Sequence, residues 1–201
     1  MSLRVGIFVG GRGARMGGAA KGLLELPSGE RLLDRLVAET RAALPDANIV
    51  LVGAADAYSN ARLPALADQP AGIGPLGGLA ALLADANNAA DAHKAGDAAA
   101  IALACDLPYV SRALITRLAH ETPHALALAP RRGNVWEPLC ARYAVAALPH
   151  VQAAIQANQR SLQRLFERLA SDAHELPINE TEARELFDWD TPEDMRAPRD
   201  I

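Results

Sequence analysis

Val5-Gly-Ile-Phe-Val-Gly-Gly-Arg-Gly-Ala-Arg-Met-Gly-Gly-Ala-Ala-Lys21 is the stretch around which the chain is organised. It begins within a short apolar run, Leu3 to Val9, which predicts a buried β-strand because β-branched and aliphatic residues dominate it. The run is followed by five glycines and three cationic side chains: Gly10, Gly11, Gly13, Gly17 and Gly18, with Arg12, Arg15 and Lys21. Glycines let backbone N–H groups approach phosphate oxygens, and the cations add positive charge. The stretch therefore predicts a polyphosphate-binding loop, with a loop that only turns the chain as the alternative.

The loop differs from two common phosphate-binding motifs. No Gly-Lys-Ser/Thr follows the strand, which excludes a Walker A loop. Three residues separate Gly13 from Gly17, one more than the dinucleotide motif Gly-x-Gly-x-x-Gly has between its second and third glycines. Its ligand must therefore be inferred together with other parts of the chain.

Composition limits the classes of protein to consider. A chain of 201 residues with 50% hydrophobic and 22% charged residues has the composition of a globular protein. Because the sequence contains no internal repeat and no linker, we expect one domain over residues 1–201. The net charge of −4 argues against a general binder of nucleic acid or of anionic membranes. Cys105 and Cys140 lie in apolar runs, which favours two reduced core thiols over a buried disulfide.

The amino terminus and the hydropathy pattern bear on the compartment. No positively charged segment followed by an apolar one opens the chain, so we expect no signal peptide. No uninterrupted apolar stretch approaches the roughly 18 residues of a transmembrane helix. We therefore expect a cytoplasmic protein without a membrane partner.

Apolar periodicity alternates between strand-like and helix-like segments along the chain. We expect strands at residues 3–9, 22–26, 48–53, 98–105, 124–129, 135–143 (a candidate antiparallel strand) and 175–178, and helices at residues 31–44, 58–66, 79–86, 111–120, 144–157 and 161–169. This alternation predicts a three-layer αβα sandwich, Rossmann-like, whose twisted and mostly parallel sheet has helices on both faces. Ligands of such sheets bind at the carboxyl ends of the strands.

Two further groups of residues are expected at that edge. Asp68 and the glycine-rich turn up to Gly78 precede a helix, whose N-terminus offers N–H donors; close packing of helix and sheet is the alternative. Asp106 comes directly after a strand and shortly before Pro108, as expected for an aspartate that holds a hard cation such as Mg²⁺ or that only caps a turn.

These motifs support a resemblance to a known family. Gly10-Gly11-x-x-x-Arg15-Met16-Gly17 followed by Lys21 resembles the signature of the molybdenum cofactor guanylyltransferases, which belong to the nucleotide-diphospho-sugar transferase-like superfamily. Asp68 with Gly74-Pro-Leu-Gly-Gly78, Cys105-Asp106-x-Pro108 and the ending Asp188-Trp-Asp-Thr-Pro-Glu-Asp194 are similar to three further motifs of that family. The resemblance covers most of the chain at four separated motifs.

The resemblance implies a fold of the nucleotidyltransferase type and a Mg²⁺-dependent transfer of GMP from GTP to the phosphate of molybdopterin, with release of pyrophosphate. It implies catalytic roles for Arg15, Lys21 and Asp106, and metal binding by Asp106 and Asp190. It implies nucleotide contacts for Phe8, Val9, Gly10, Gly11, Gly13, Lys21, Asp68, Gly74, Gly77, Gly78 and Asp106. The segment from Arg131 to Ala141 resembles the family's Arg-x-x-Pro-x-x-Ala motif, which suggests contacts with the second substrate; ordinary surface residues are the alternative.

The chain departs from the family pattern at three positions. Ala20 replaces an aspartate before the lysine, and Asp188 and Asp190 replace two asparagines. These departures leave a non-catalytic nucleotide-binding module open, and a CTP-dependent enzyme or an enzyme with another acceptor also stays open as an alternative. The resemblance implies GTP and molybdopterin as partners and allows transient contacts with proteins that insert or accept the cofactor. The oligomeric state stays open, with a monomer as one option.

Overall fold

A computed structural model describes residues 3–10, 20–53, 56–90, 98–189, 191 and 194–195. Its strands are β1 (Leu3–Phe8), β2 (Asn48–Val52), β3 (Ala65–Leu66), β4 (Ala99–Ala104), β5 (Ala127–Ala129), β6 (Arg131–Arg132), β7 (Val135–Trp136), β8 (Cys140–Ala144) and β9 (Ala173–Glu175). Its α-helices are α1 (Leu32–Ala43), α2 (Pro75–Ala89), α3 (Arg112–His120), α4 (Leu148–Gln156), α5 (Leu162–Leu169) and α6 (Glu180–Glu185). Short 3-10 helices cover Lys21–Leu23, Asp56–Ala61, Val145–Ala147 and Ala170–Asp172.

Seven strands form the central sheet in the order β3-β2-β1-β4-β8-β5-β9. Among these described strands, β8 alone runs antiparallel to its neighbours β4 and β5, whereas the remaining pairs are parallel. The central strands β1, β2 and β4 are apolar and mostly buried, as expected for strands that are covered on both faces. The predicted mostly parallel sheet is therefore confirmed.

Helices cover both faces of the sheet. Helices α2, α4 and α5 contribute to one apolar core, and helices α1 and α3 contribute to the other. Helices α1, α3 and α5 each present a stripe of aliphatic residues to the core, as their sequence periodicity predicts, whereas α2 is buried along nearly its whole first half. The three-layer αβα architecture predicted from the sequence is confirmed.

Two predicted elements differ in type from the observed ones. The predicted strand at residues 22–26 is a 3-10 helix with one isolated bridge between Glu25 and Arg31, since the Leu24 N–H closes a tight turn on the Lys21 carbonyl. The predicted helix at 58–66 is the shorter 3-10 helix Asp56–Ala61 followed by β3. Pro64 explains the difference, because proline disfavours the helical conformation of the residue before it.

The predicted continuous strand at 135–143 is divided. Residues of β7 pair with β6 in a two-stranded ribbon, and β8 joins the central sheet after Pro138, which lacks the N–H that a strand ladder needs. The antiparallel direction expected for this segment is confirmed for β8.

Helix boundaries also differ from the predictions. Helix α2 begins at Pro75 rather than at residue 79, because proline is well suited to the first turn of a helix. Helix α6 is absent from the predicted elements, although Asn179 and Glu182 form a capping box at its start. Within the ranges that the structure describes, no helix combines the length and apolarity needed to cross a bilayer.

Candidate active site

A cavity of about 690 Å³ opens at the carboxyl ends of β1, β2 and β4. Parallel strands bring the residues that follow them to the same edge, so segments far apart in sequence meet here. The lining consists of Phe8, Val9, Gly10, Lys21, Val52, Asp68, Gly72, Gly74, Pro75, Ala104, Cys105, Asp106, Leu107, Glu137, Pro138, Leu139, Leu186 and Asp188. The edge at which the sequence predicts a ligand is thus the edge that carries the cavity.

Lys21 and Asp106 form an ion pair in this cavity. The Lys21 Nζ atom donates to the Asp106 Oδ2 atom at 2.8 Å, and the two side chains are 20% and 18% exposed. Lys21 lies on a 3-10 helix, and Asp106 follows β4 directly after Cys105. Although Ala20 cannot supply the acidic neighbour of the family pattern, the chain provides an acidic partner for Lys21 from the end of another strand.

Backbone hydrogen bonds hold Asp106 at the cavity. The N–H of Cys105 donates to the Phe8 carbonyl at 3.1 Å, and the N–H of Trp189 donates to the Asp106 carbonyl at 2.9 Å. Trp189 is 1% exposed and packs edge-on against Tyr109. The C-terminal segment therefore contributes directly to the position of Asp106.

Asp68 also lines the cavity, near the carboxyl end of β2. Partial burial raises the pKa of its carboxyl group. The chain is tightly packed here, since a Cβ at Gly53 would lie 3.0 Å from the Gly10 backbone and Gly53 has a φ of +102°. Only glycine suits such a position, so the ends of β1 and β2 can approach each other closely.

The first turn of α2 packs against this region. A Cβ at Gly77 would lie 2.6 Å from the Pro70 carbonyl oxygen, and one at Gly78 would lie 2.7 Å from a Val52 methyl carbon. Both glycines are buried and absent from the cavity lining. Gly77 therefore packs closely against the Pro70 backbone and Gly78 against β2, while their predicted nucleotide contacts stay predictions.

The predicted site residues fall into three groups. Those that line the cavity are Phe8, Val9, Gly10, Lys21, Asp68, Gly74 and Asp106. Gly77 and Gly78 lie behind the lining, in the first turn of α2. The remaining predicted residues, Gly11, Gly13, Arg15 and Asp190, lie outside the described residues. The roles assigned to all of them stay predictions.

The cavity also contains residues beyond those assigned to catalysis, nucleotide binding or metal binding from the sequence: Leu107, Glu137, Pro138, Leu139, Leu186 and Asp188. Burial raises the pKa of Glu137, while its ion pair with Arg132 acts in the opposite direction and the charge of Asp188 adds to the rise. Glu137 lies in the segment that resembles the family's second-substrate motif, and Asp188 lies in the motif near the C-terminus. These two resemblances are the signals in the sequence that point to both residues. Nothing in the sequence pattern marks Leu186.

The two cysteines are free and buried, which confirms the predicted reduced core thiols. Burial raises the pKa of the Cys105 thiol to about 12, with the charge of Asp106 adding to the rise. Burial likewise raises the pKa of Cys140. Since the thiolate is the nucleophilic form, neither cysteine is suited to covalent catalysis.

The carboxylates of the cavity fit a magnesium ion. Asp106 and Asp188 both line it, and the described parts of the chain contain no cluster of three or more His, Cys, Asp and Glu residues arranged to hold a metal. Mg²⁺ typically takes one or two protein carboxylates and completes its shell with water and substrate phosphates. Two carboxylates beside a space large enough for a nucleotide match that requirement.

Comparisons with known proteins give the family. A family model described as the MobA-like NTP transferase domain matches residues 5–174. The chain is similar to a molybdenum cofactor guanylyltransferase of Ectopseudomonas mendocina (strain ymp), with 33% identity over 95% of this chain and 89% of that protein. The protein of the same description from Pseudomonas fluorescens (strain SBW25) is 31% identical over 97% of this chain and 92% of its own length.

Solved structures share the fold. Molybdopterin-guanine dinucleotide biosynthesis protein A from Archaeoglobus fulgidus has a TM-score of 0.74 at 24% identity, with 96% of this chain and 95% of that chain covered. The 2-C-methyl-D-erythritol 4-phosphate cytidylyltransferase from Thermus thermophilus has a TM-score of 0.61 at 16% identity, with 98% and 95% covered. The family match over most of the chain and the relatives above 30% identity together show that this chain belongs to the nucleotidyltransferase family of MobA-like NTP transferases.

Proposed function

We propose that this protein transfers GMP from GTP to the phosphate of molybdopterin, forming the guanine dinucleotide cofactor and releasing pyrophosphate. The observation that carries the proposal is the pairing of Lys21 with Asp106 in a cavity at the carboxyl edge of the sheet. A cation for phosphates and a carboxylate for a metal are the two groups that such a transfer requires at one place. The relatives described as molybdenum cofactor guanylyltransferases support the choice of substrates.

The proposed reaction is a direct displacement. A phosphate oxygen of molybdopterin attacks the α-phosphorus of GTP, a new P–O bond forms, and the bond to the β-phosphate oxygen breaks as pyrophosphate leaves. Lys21 is positioned to offset negative charge on the phosphates and on the leaving group, with Arg15 as a further cation predicted from the sequence. Because both cysteine thiols are buried and have raised pKa values, neither would form a covalent intermediate.

Asp106 would hold Mg²⁺, with Asp188 or the sequence-predicted Asp190 as a second carboxylate. A bound Mg²⁺ would supply charge neutralisation at the phosphates and a fixed orientation of the reacting groups. The chain itself would hold the triphosphate near Lys21 and hold the base and ribose on the side of Asp68 and Gly74.

We also propose that residues 1–201 form one domain, since one sheet includes strands from Leu3 to Glu175. The two reduced, buried cysteines fit a cytoplasmic location, where thiols are kept reduced.

The proposal is tested first by nucleotide binding. The Tm of the protein is measured with GTP, CTP, ATP and UTP, each with and without Mg²⁺. We expect the largest stabilisation with GTP and Mg²⁺, because a ligand that binds only the folded state raises Tm. Equal shifts with all four nucleotides would contradict the choice of guanine, and a shift with CTP alone would favour a cytidylyltransferase.

Turnover is tested separately, by measuring pyrophosphate released from GTP in the presence of molybdopterin. We expect release that requires both molybdopterin and Mg²⁺. Tight GTP binding without pyrophosphate release would favour a non-catalytic nucleotide-binding module. Release that proceeds without molybdopterin would show hydrolysis rather than transfer.

A further inference from the structure

Tyr58 is a buried residue that contacts both chain segments carrying the ion pair of the cavity. It lies in the 3-10 helix Asp56–Ala61, after β2, and is 3% exposed. Its hydroxyl oxygen accepts a hydrogen bond from the Gly22 N–H at 3.1 Å. A Cβ at Gly22 would lie 2.9 Å from the Tyr58 ring, so the backbone of residue 22 packs directly on this side chain.

The side chain of Tyr58 also has a neighbour at the end of β4. Tyr58 lies beside the thiol of Cys105, which is 6% exposed, and both side chains belong to the same buried apolar cluster. Burial raises the pKa of Tyr58 to about 12, so the hydroxyl keeps its proton at neutral pH. Tyr58 thus accepts a hydrogen bond from Gly22 and has Cys105 as a neighbour in the core.

These two partners are the chain neighbours of the ion-paired residues. Gly22 follows Lys21, and Cys105 precedes Asp106. The 3-10 helix of Lys21 also has local hydrogen bonds, from Leu23 to the Ala20 carbonyl and from Leu24 to the Lys21 carbonyl. Those bonds stay within the short helix, whereas Tyr58 joins it to the buried cluster that includes Cys105 at the end of β4.

We propose that Tyr58 is a positioning residue for the reaction, because its hydroxyl fixes the backbone of Lys21 relative to that of Asp106. The inference rests on the proposed transferase function for its effect on catalysis. Its geometric part, the dependence of the Lys21–Asp106 pair on Tyr58, is independent of which nucleotide or acceptor the protein uses. A purely structural Tyr58 would instead stabilise the core and leave the geometry of the pair unchanged.

The first experiment compares Tyr58→Phe with Thr40→Val. Both remove one buried hydroxyl group, and Thr40 donates to the Leu36 carbonyl in α1, away from the cavity lining. We expect each change to lower Tm by about 2–4 °C, as for the loss of one buried hydrogen bond.

Only Tyr58→Phe is expected to lower kcat for pyrophosphate release, by about 10-fold or more, with the KM for GTP changed by less than about 3-fold. Displaced charges reduce the stabilisation of the transition state more than they reduce the binding of GTP in the ground state. General destabilisation of the fold would instead change the kcat of both variants alike. Equal kcat values for Tyr58→Phe, Thr40→Val and the unchanged protein would overturn the proposal.

The second experiment needs no activity. A double-mutant cycle with Lys21→Met and Asp106→Asn measures the non-additive shift in Tm that reports the interaction of the pair. The cycle is repeated in proteins that also carry Tyr58→Phe or Thr40→Val. We expect the non-additive shift to persist with Thr40→Val and to fall by at least half with Tyr58→Phe.

The two experiments separate the two proposals. If the unchanged protein releases no pyrophosphate but the coupling falls with Tyr58→Phe, the proposed function fails and the positioning role holds. If pyrophosphate is released and the coupling is the same in every background, the function holds and the positioning role is wrong.

Discussion

The ammonium nitrogen of Lys21 lies 2.8 Å from a carboxylate oxygen of Asp106, although 85 positions separate the two residues in sequence. Two segments that follow different strands, β1 and β4, thereby place opposite charges next to each other in the cavity. Each charge is about one-fifth exposed, so the pair is accessible to a ligand while the surrounding protein limits its movement. Two other charged groups bear on stability, the partly buried Asp68 and the fully buried Arg142.

Replacing Lys21 by methionine should lower kcat/KM for pyrophosphate release by about 100-fold to 1,000-fold, since one positive charge facing the phosphates is lost. Steady-state release from GTP and molybdopterin measures the effect. Arg112→Gln is the control, because its side chain is 65% exposed and pairs at the surface with Glu39. Unchanged kinetics in Lys21→Met would remove this residue from the site.

Replacing Asp106 by asparagine should lower the affinity for divalent metal, because the amide has the same shape without the charge. Titration of the GTP-bound protein with Mn²⁺, followed by the paramagnetic signal of free Mn²⁺, measures this directly. We expect binding at least about 10-fold weaker, with a parallel loss of pyrophosphate release. Asp46→Asn, in the exposed turn after α1, serves as the control and should bind Mn²⁺ as the unchanged protein does.

Replacing Asp68 by asparagine should raise Tm at pH 7. Burial raises the pKa of Asp68 above its usual range, so the folded state binds its proton more tightly than the unfolded state does. This group therefore lowers stability as pH rises from the unfolded pKa through the folded one. Its destabilising effect is complete above the folded pKa and absent below the unfolded one.

The measurement is Tm for the two proteins between pH 4 and pH 7. The advantage of Asp68→Asn should be largest at pH 7 and should shrink as the pH falls toward 4. Asp56→Asn, at an exposed residue, should show no such trend. A difference that grows on acidification would mean that the ionised carboxylate is stabilised in the fold.

Replacing Arg142 by methionine should destabilise the fold by about 2–4 kcal/mol. This side chain is fully buried on β8, and its guanidinium group donates to the carbonyls of Leu118, Glu121, Thr122 and Pro123. The carbonyls at the end of α3 would lose these donors, while methionine retains most of the apolar contact. Urea unfolding measures the change, and a midpoint equal to that of the unchanged protein would contradict this role.

Local sequence patterns predict the parts of the fold that depend on neighbours along the chain. The apolar runs of β1, β2 and β4 and the Ser111 cap of α3 follow from composition and spacing alone. The strand conformation of the segment from Pro64 to Leu66 does not follow from local sequence. It becomes a strand by pairing with β2 rather than with any nearby residue. A two-residue strand has too little pattern of its own.

The candidate site likewise has a part that local sequence predicts and a part that depends on distant segments of the chain. The glycines and the charged residues after the strands are found from their positions, since strand ends mark the ligand edge of a parallel sheet. The partner of Lys21 cannot be found from its position in the sequence. Pairing across 85 positions depends on the register of β1 and β4. The contribution of Trp189 to Asp106 is a backbone hydrogen bond, to which the identity of the side chain gives no clue.

The reversed direction of β8 has a consequence for how specificity can change in this fold. A parallel strand presents the loop that follows it to the cavity, whereas β8 presents the residues that precede it, Glu137 to Leu139. The ribbon of β6 and β7 comes immediately before them and lies outside the central sheet. Insertions in that ribbon would reshape one wall of the cavity while the registers of β1, β2 and β4 stay fixed. One wall of the cavity is thus built by a segment that lies outside the parallel registers that position Phe8 and Asp106.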